Sequence, residues 1–137
     1  MDNCIFCKII AGDIPSSVIY EDEDLKVIMD IYPAARGHAI IITKKHFENI
    51  FELDDDVAKK VLIVAKKVGI ALKDELGCGG INLLQNNGET AGQTVFHLHF
   101  HLIPRYDGDN VTIKWITGKY EDGEALELAQ RIGARIK

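Results

Sequence analysis

The chain has 137 residues, 47% hydrophobic and 27% charged, which sets aside a disordered tail and fits a single domain, residues 1–137, able to bury a core. Sixteen Lys and Arg against 21 Asp and Glu leave a formal charge of −5 without a basic tract, so no nucleic-acid partner is expected. The longest unbroken apolar run covers five residues, 61–65, far below the ~20 of a membrane helix, and the N-terminus lacks the pattern of a secretion signal. No membrane association is expected, and the location expected is cytoplasmic.

Cys4 and Cys7 stand as Cys-x-x-Cys, and Cys78 makes the count odd. Three readings of the pair are open: a redox couple, two inert thiols, or half of a zinc site that needs two more ligands. The redox couple wants the motif to open a helix in a βαβ setting, whereas strands are expected next. Residues 17–22 and 25–30 read as short strands turning at the acidic cluster 21–24, and the apolar, β-branched run 38–43 as a central strand. From Asp54 a helix is expected to Leu76, because Val57, Val61, Val64, Val68, Leu72 and Leu76 recur at spacings of three and four. Gly77 is its expected C-cap. Strands are then expected at 79–86, 94–104 and 111–116, with a closing helix over 121–137. Short connections between successive strands make the sheet mainly antiparallel and the fold class α+β.

The chemistry concentrates at His97-Leu98-His99-Phe100-His101. Alternate side chains of a strand share a face, so the three histidines point one way, and Phe96, Leu98, Phe100 and Leu102 point to the apolar side. With five histidines in the chain, chance gives such a triplet only about 0.006 times. A metal centre and a nucleophilic site both fit three imidazoles on one face. Neutral imidazole can attack phosphorus without prior deprotonation, and Gly92, Gln93, Thr94 and Asn86 supply backbone and polar donors where phosphate oxygens would sit. That favours nucleophilic catalysis.

These residues resemble the signature of the histidine triad (HIT) family, and the likeness extends through Asn86, Gly37-His38, Lys44-Lys45-His46, Asp30 and Cys4-Ile5-Phe6-Cys7, over residues 4–112. The resemblance implies the HIT fold, a five-stranded sheet packed by one long helix, with a strand and helix at 113–137 outside it. It also implies a nucleotide hydrolase or transferase acting at the α-phosphate. His99 would form a nucleotidyl-histidine intermediate, His101 would steady the leaving group, and His38 would complete the catalytic set. Asp30 would take the ribose hydroxyls, Asn86, Gly92, Gln93 and Thr94 the phosphate, and Ile5, Phe6 and Ile31 the base. In zinc-bearing relatives the positions of Cys4, Cys7, His46 and His97 hold a structural zinc, and catalysis requires no metal. Adenosine 5′-phosphoramidates or other AMP conjugates of a purine nucleotide are the implied substrates, with diadenosine polyphosphates and a nucleotide-binding module without turnover as alternatives. A homodimer through the long helix and the strand at 79–86 is also implied.

Overall fold

In the computed structural model, which describes residues 3–137, the long helix forms where its apolar stripe requires it. It is introduced as α2, Asp55–Leu76, capped by the Asp54 side chain accepting from Asp56 N–H and closed by Gly77 in the left-handed region. Ahead of it come α1 (Ile5–Ala11), β1 (Val18–Glu21), β2 (Leu25–Met29) and β3 (Ala39–Thr43). After it come β4 (Gly80–Leu84), β5 (His99–Arg105) and α3 (Glu124–Gly133). The five strands make one antiparallel sheet in the order β1-β2-β3-β5-β4. The class is α+β, as expected.

The two faces of the sheet are covered by different helices. Leu25, Val27, Ala39, Ile41, Leu98, Phe100 and Leu102 pack on Val61, Val64, Ala65, Val68 and Leu72 of α2. On the opposite face Ile28, Ile40 and Ile42 pack on Phe6 and Ile9 of α1. Both faces of β3 are therefore dry, which is why its sequence is a continuous apolar run rather than an alternation. Burying each such aliphatic side chain contributes about 1.5–3 kcal/mol.

Three expectations are corrected. The N-terminal segment is a helix: Phe6 and Ile9, three residues apart, bury one side of α1, and Cys4 caps it by accepting from Cys7 N–H at 3.3 Å. The cysteine motif thus does open a helix. The expected strand at 111–116, and with it the strand of the 113–137 extension, is absent: the segment pairs with neither edge of the sheet and leaves Trp115 and Ile116 exposed. The closing helix is shorter than 121–137, and Leu126, Ile132 and Ile136 are exposed rather than packed.

The turn before β3 depends on Gly37, whose φ of +93° lies in the left-handed region. A Cβ there would lie 2.3 Å from Leu76 Cδ1 and 3.1 Å from Pro104 Cγ. Gly37→Ala is therefore expected to lower stability by about 1–3 kcal/mol, through backbone strain and overpacking together. A urea melt with an unchanged midpoint would contradict it.

Candidate active site

β5 begins at His99, so the hydrogen-bonded strand is shorter than the expected 94–104, and His97 lies in the bend before it. The alternation nevertheless persists: Leu98, Phe100 and Leu102 enter the α2 core, while Phe96 is 44% exposed and departs from the pattern. The histidines take the α1 face, where the Phe6 ring meets His97 edge-on at 5.9 Å and His99 at 4.9 Å between centroids.

Two separate clusters result. In the first, Cys4 Sγ lies 3.3 Å from His97 Nδ1, and Cys7 Sγ lies 3.5 Å from the same nitrogen and 3.3 Å from His46 Nδ1. All four ligand atoms fall within 4.8 Å of one another. Two ligands bound 2.0–2.3 Å from a tetrahedral centre stand about 3.5 Å apart, so this spacing suits zinc. The His97 tautomer suits it too. Its Nε2 faces the Thr43 carbonyl at 2.6 Å, and a carbonyl only accepts, so the proton is on Nε2 and the Nδ1 lone pair faces the sulfurs.

The second cluster is Asp30, His38 and His101, with Asp30 Oδ2 3.5 Å from His38 Nε2 and His38 Nε2 2.9 Å from His101 Nδ1. Its atoms are also close enough for a metal. Its protons are arranged against one, because Ala34 N–H donates to His38 Nδ1 at 2.9 Å and so puts the ring proton on Nε2, the atom a metal would need.

His99 and His101 both line a cavity of about 340 Å³ between α1 and the sheet. Its lining includes the apolar Ile5, Phe6, Ile9, Ile14 and Ile31 with Tyr32, and also Asn86, Gly92 and Thr94. His99 Nδ1 lies 2.7 Å from the His97 carbonyl and must carry the proton, leaving a lone pair on Nε2, which has no partner among the described residues. Burial pushes the pKa of His99 down and those of His97 and His101 down to about 4, and burial lowers His38 against the pull of Asp30. All four rings are held neutral near pH 7.

Every residue expected at the site falls in one of these clusters or on the cavity wall. Gln93 differs in its chemistry: its amide accepts from Gly88 N–H and donates to the Glu48 and Val95 carbonyls, and its N–H donates to Gly88 O. It shapes the loop and has no side-chain donor left for a phosphate. Sequence reasoning missed Tyr32, Ile9 and Ile14 on the wall; the apolar i, i+3 spacing of Phe6 and Ile9 was the available signal.

A family model described as the HIT domain matches residues 11–108. "Protein hit" of Bacillus subtilis is 44% identical over 138 residues, covering 98% of this chain and 95% of its own. Adenosine 5′-monophosphoramidase hnt1 of Schizosaccharomyces pombe is 37% identical over 136 residues, covering 98% and 99%. Among solved structures, a member of the HIT family from Bacillus subtilis superposes with a TM-score of 0.93 at 44% identity, covering 98% of each chain. A zinc-bound histidine triad family protein from Mycobacterium smegmatis superposes with a TM-score of 0.77 at 35% identity, covering 98% and 99%.

Proposed function

This chain belongs to the HIT family, and from that premise we propose that it hydrolyses AMP conjugates, above all adenosine 5′-phosphoramidates, at the α-phosphate through a nucleotidyl-His99 intermediate. The observation that carries this reading is the His99 ring, which lines the cavity with His101, its Nδ1–H tied to a backbone carbonyl and its Nε2 left unprotonated. A neutral nitrogen fixed in this way attacks phosphorus as the P–N bond breaks, the leaving nitrogen takes a proton from water and departs as the amine, and a second water then attacks the same phosphorus to release AMP and free His99. His101 and His38 support that step. The apolar residues of the lining suit a purine, Asp30 a ribose hydroxyl, and Thr94, Asn86 and the backbone of Gly92 the phosphate.

Diadenosine polyphosphates are the second reading, favoured by the run Ala91-Gly92-Gln93-Thr94-Val95 and by Pro104-Arg105. Against it, the cavity lining includes no Lys or Arg. The Arg105 guanidinium is itself occupied by Asp109, Asn82 Oδ1 and the Val111 carbonyl. A chain of phosphates would find little compensating charge. The deciding experiment is AMP release from adenosine 5′-phosphoramidate beside that from a diadenosine polyphosphate. Preference for the dinucleotide moves the protein to the second reading, and turnover of neither by folded protein leaves a nucleotide-binding module.

We also assign Cys4, Cys7, His46 and His97 to a structural zinc. The ion would supply a crosslink between α1 and the segment preceding β5, and no step of the reaction needs it.

The protein is further proposed to act as a homodimer through α2 and β4. β4 is an edge strand, Leu62 and Ile63 of α2 are exposed beside Leu83 of β4, and Ile70 of α2 is exposed too. The segment 114–137 adds Trp115, Ile116 and Leu126 to the uncovered apolar surface. Leu62→Glu combined with Leu83→Glu is expected to convert a dimer to a monomer by light scattering. A monomeric wild type would overturn the assignment.

A further inference from the structure

We propose that the backbone N–H of Ala34, acting through His38, locks His101 as the Nε2–H tautomer and makes it a neutral hydrogen-bond donor to the substrate phosphate rather than a proton donor. The inference rests on the proposed attack by His99.

The proton positions follow from the contacts one at a time. An amide N–H only donates, so His38 Nδ1, 2.9 Å from Ala34 N, carries a lone pair. The neutral His38 ring then bears its proton on Nε2. His101 Nδ1 is the nearer acceptor at 2.9 Å, with Asp30 Oδ2 at 3.5 Å. His101 therefore accepts at Nδ1 and keeps its own proton on Nε2, the nitrogen without a partner among the described residues, on a ring that lines the cavity.

The loop that supplies Ala34 N–H is held rigidly enough to enforce this. Asp30 N–H donates to His38 O at 2.9 Å and closes the loop at its ends, and His38 N–H donates to Ala35 O at 3.0 Å. Tyr32 N–H donates to Asp30 Oδ1 at 2.8 Å, and Tyr106 OH donates to Arg36 O at 2.7 Å.

The electrostatics keep the proton on His101. Giving it up would leave an imidazolate near the Asp30 carboxylate in a cavity whose lining has no Lys or Arg. The ring instead donates a hydrogen bond to charge developing on a phosphate oxygen, as a neutral imidazole held in one tautomer can. For an ester substrate the balance is simple. The His99 Nε2–P bond forms, the P–O bond breaks with its electron pair on the leaving oxygen, and water protonates that oxygen after departure. For a phosphoramidate the leaving nitrogen takes its proton from water, which is left as hydroxide, before the P–N bond breaks with its electron pair on that nitrogen, so the amine departs neutral.

The test begins on the resting protein with ¹⁵N-labelled histidine. At pH 7 both His38 and His101 are expected to show a pyrrole-like Nε2 and a pyridine-like Nδ1. Ala34→Pro, which lacks the N–H, and His38→Leu, which lacks the donor, should give mixed tautomers at His101. His38→Gln, whose Nε2–H reaches the same place, should restore the Nε2–H form. An Nδ1–H His101 in the wild type, or tautomers indifferent to these changes, overturns the lock.

The second measurement is kcat across AMP aryl esters of graded leaving-group pKa. His38→Leu is expected to lower kcat by a similar factor, about 10- to 100-fold, throughout the series. A loss confined to the poorest leaving groups would identify His101 as a proton donor and overturn the donor role. If neither these esters nor adenosine 5′-phosphoramidate turns over while the tautomers are as stated, the proposed function fails and the donor role with it, whereas the lock stands.

Discussion

His99→Ala is expected to reduce AMP release by about 10⁴-fold or more while nucleotide affinity stays within roughly tenfold of wild type. The asymmetry comes from where the contacts lie. Ile5, Phe6, Ile31 and Asp30, which would hold base and ribose, come from α1 and from the end of β2 with the loop after it, and none depends on His99 for its position except through the Phe6 edge contact. The proposed nucleophile is a single atom, and its removal would delete the covalent step outright. Single-turnover kinetics and nucleotide titration of the same preparation check both halves. The wild type should also yield an acid-labile nucleotidyl adduct that the variant does not form. A variant retaining more than about a hundredth of the wild-type rate would show that water attacks directly and would remove the intermediate from the mechanism.

The sheet and the long helix were legible because their signals are periodic. The stripe from Val57 to Leu76 has one solution in a helix, and the run at 39–42 has one solution in a strand covered on both faces. The alternation of His99, Phe100, His101 and Leu102 likewise has one reading, and those histidines do face the cavity. Signals that failed were short or conditional. α1 is only seven residues long, and its burial depends on a sheet face assembled from strands later in the chain. The 111–116 segment has β-branched residues but pairs with neither edge strand, and strand propensity alone does not bring a segment to an edge. Gln93 lies beside the phosphate residues in sequence, yet its partners Glu48 and Gly88 belong to other parts of the chain, so its occupied amide was invisible. Tautomers were wholly out of reach, since they depend on which carbonyl or amide each ring nitrogen meets.

Loss of the proposed zinc is the second change expected to have a large effect, and it should act on α1 beside the cavity as well as on stability. Cys7→Ser removes one of four ligands and also a sulfur standing 3.3 Å from His46 and 3.5 Å from His97. A metal bound to the folded state alone stabilises it by about 4 kcal/mol at a thousandfold excess over its dissociation constant, so Tm should fall by on the order of 10 °C. Metal analysis should find one zinc per wild-type chain and little in the variant. α1 would stay attached through Phe6 and Ile9, which pack on Ile28, Ile40 and Ile42 without any help from the ion. It would lose its anchor at Cys4 and Cys7, beside the Ile5 and Phe6 that line the cavity, so KM should rise several-fold. The carbonyl of His97 fixes the His99 tautomer, and freeing the His97 ring loosens that backbone, so kcat should fall as well, but by less. A variant that lost its zinc and kept both Tm and KM would show that the four residues pack as an ordinary polar cluster and that the ion does not shape the site.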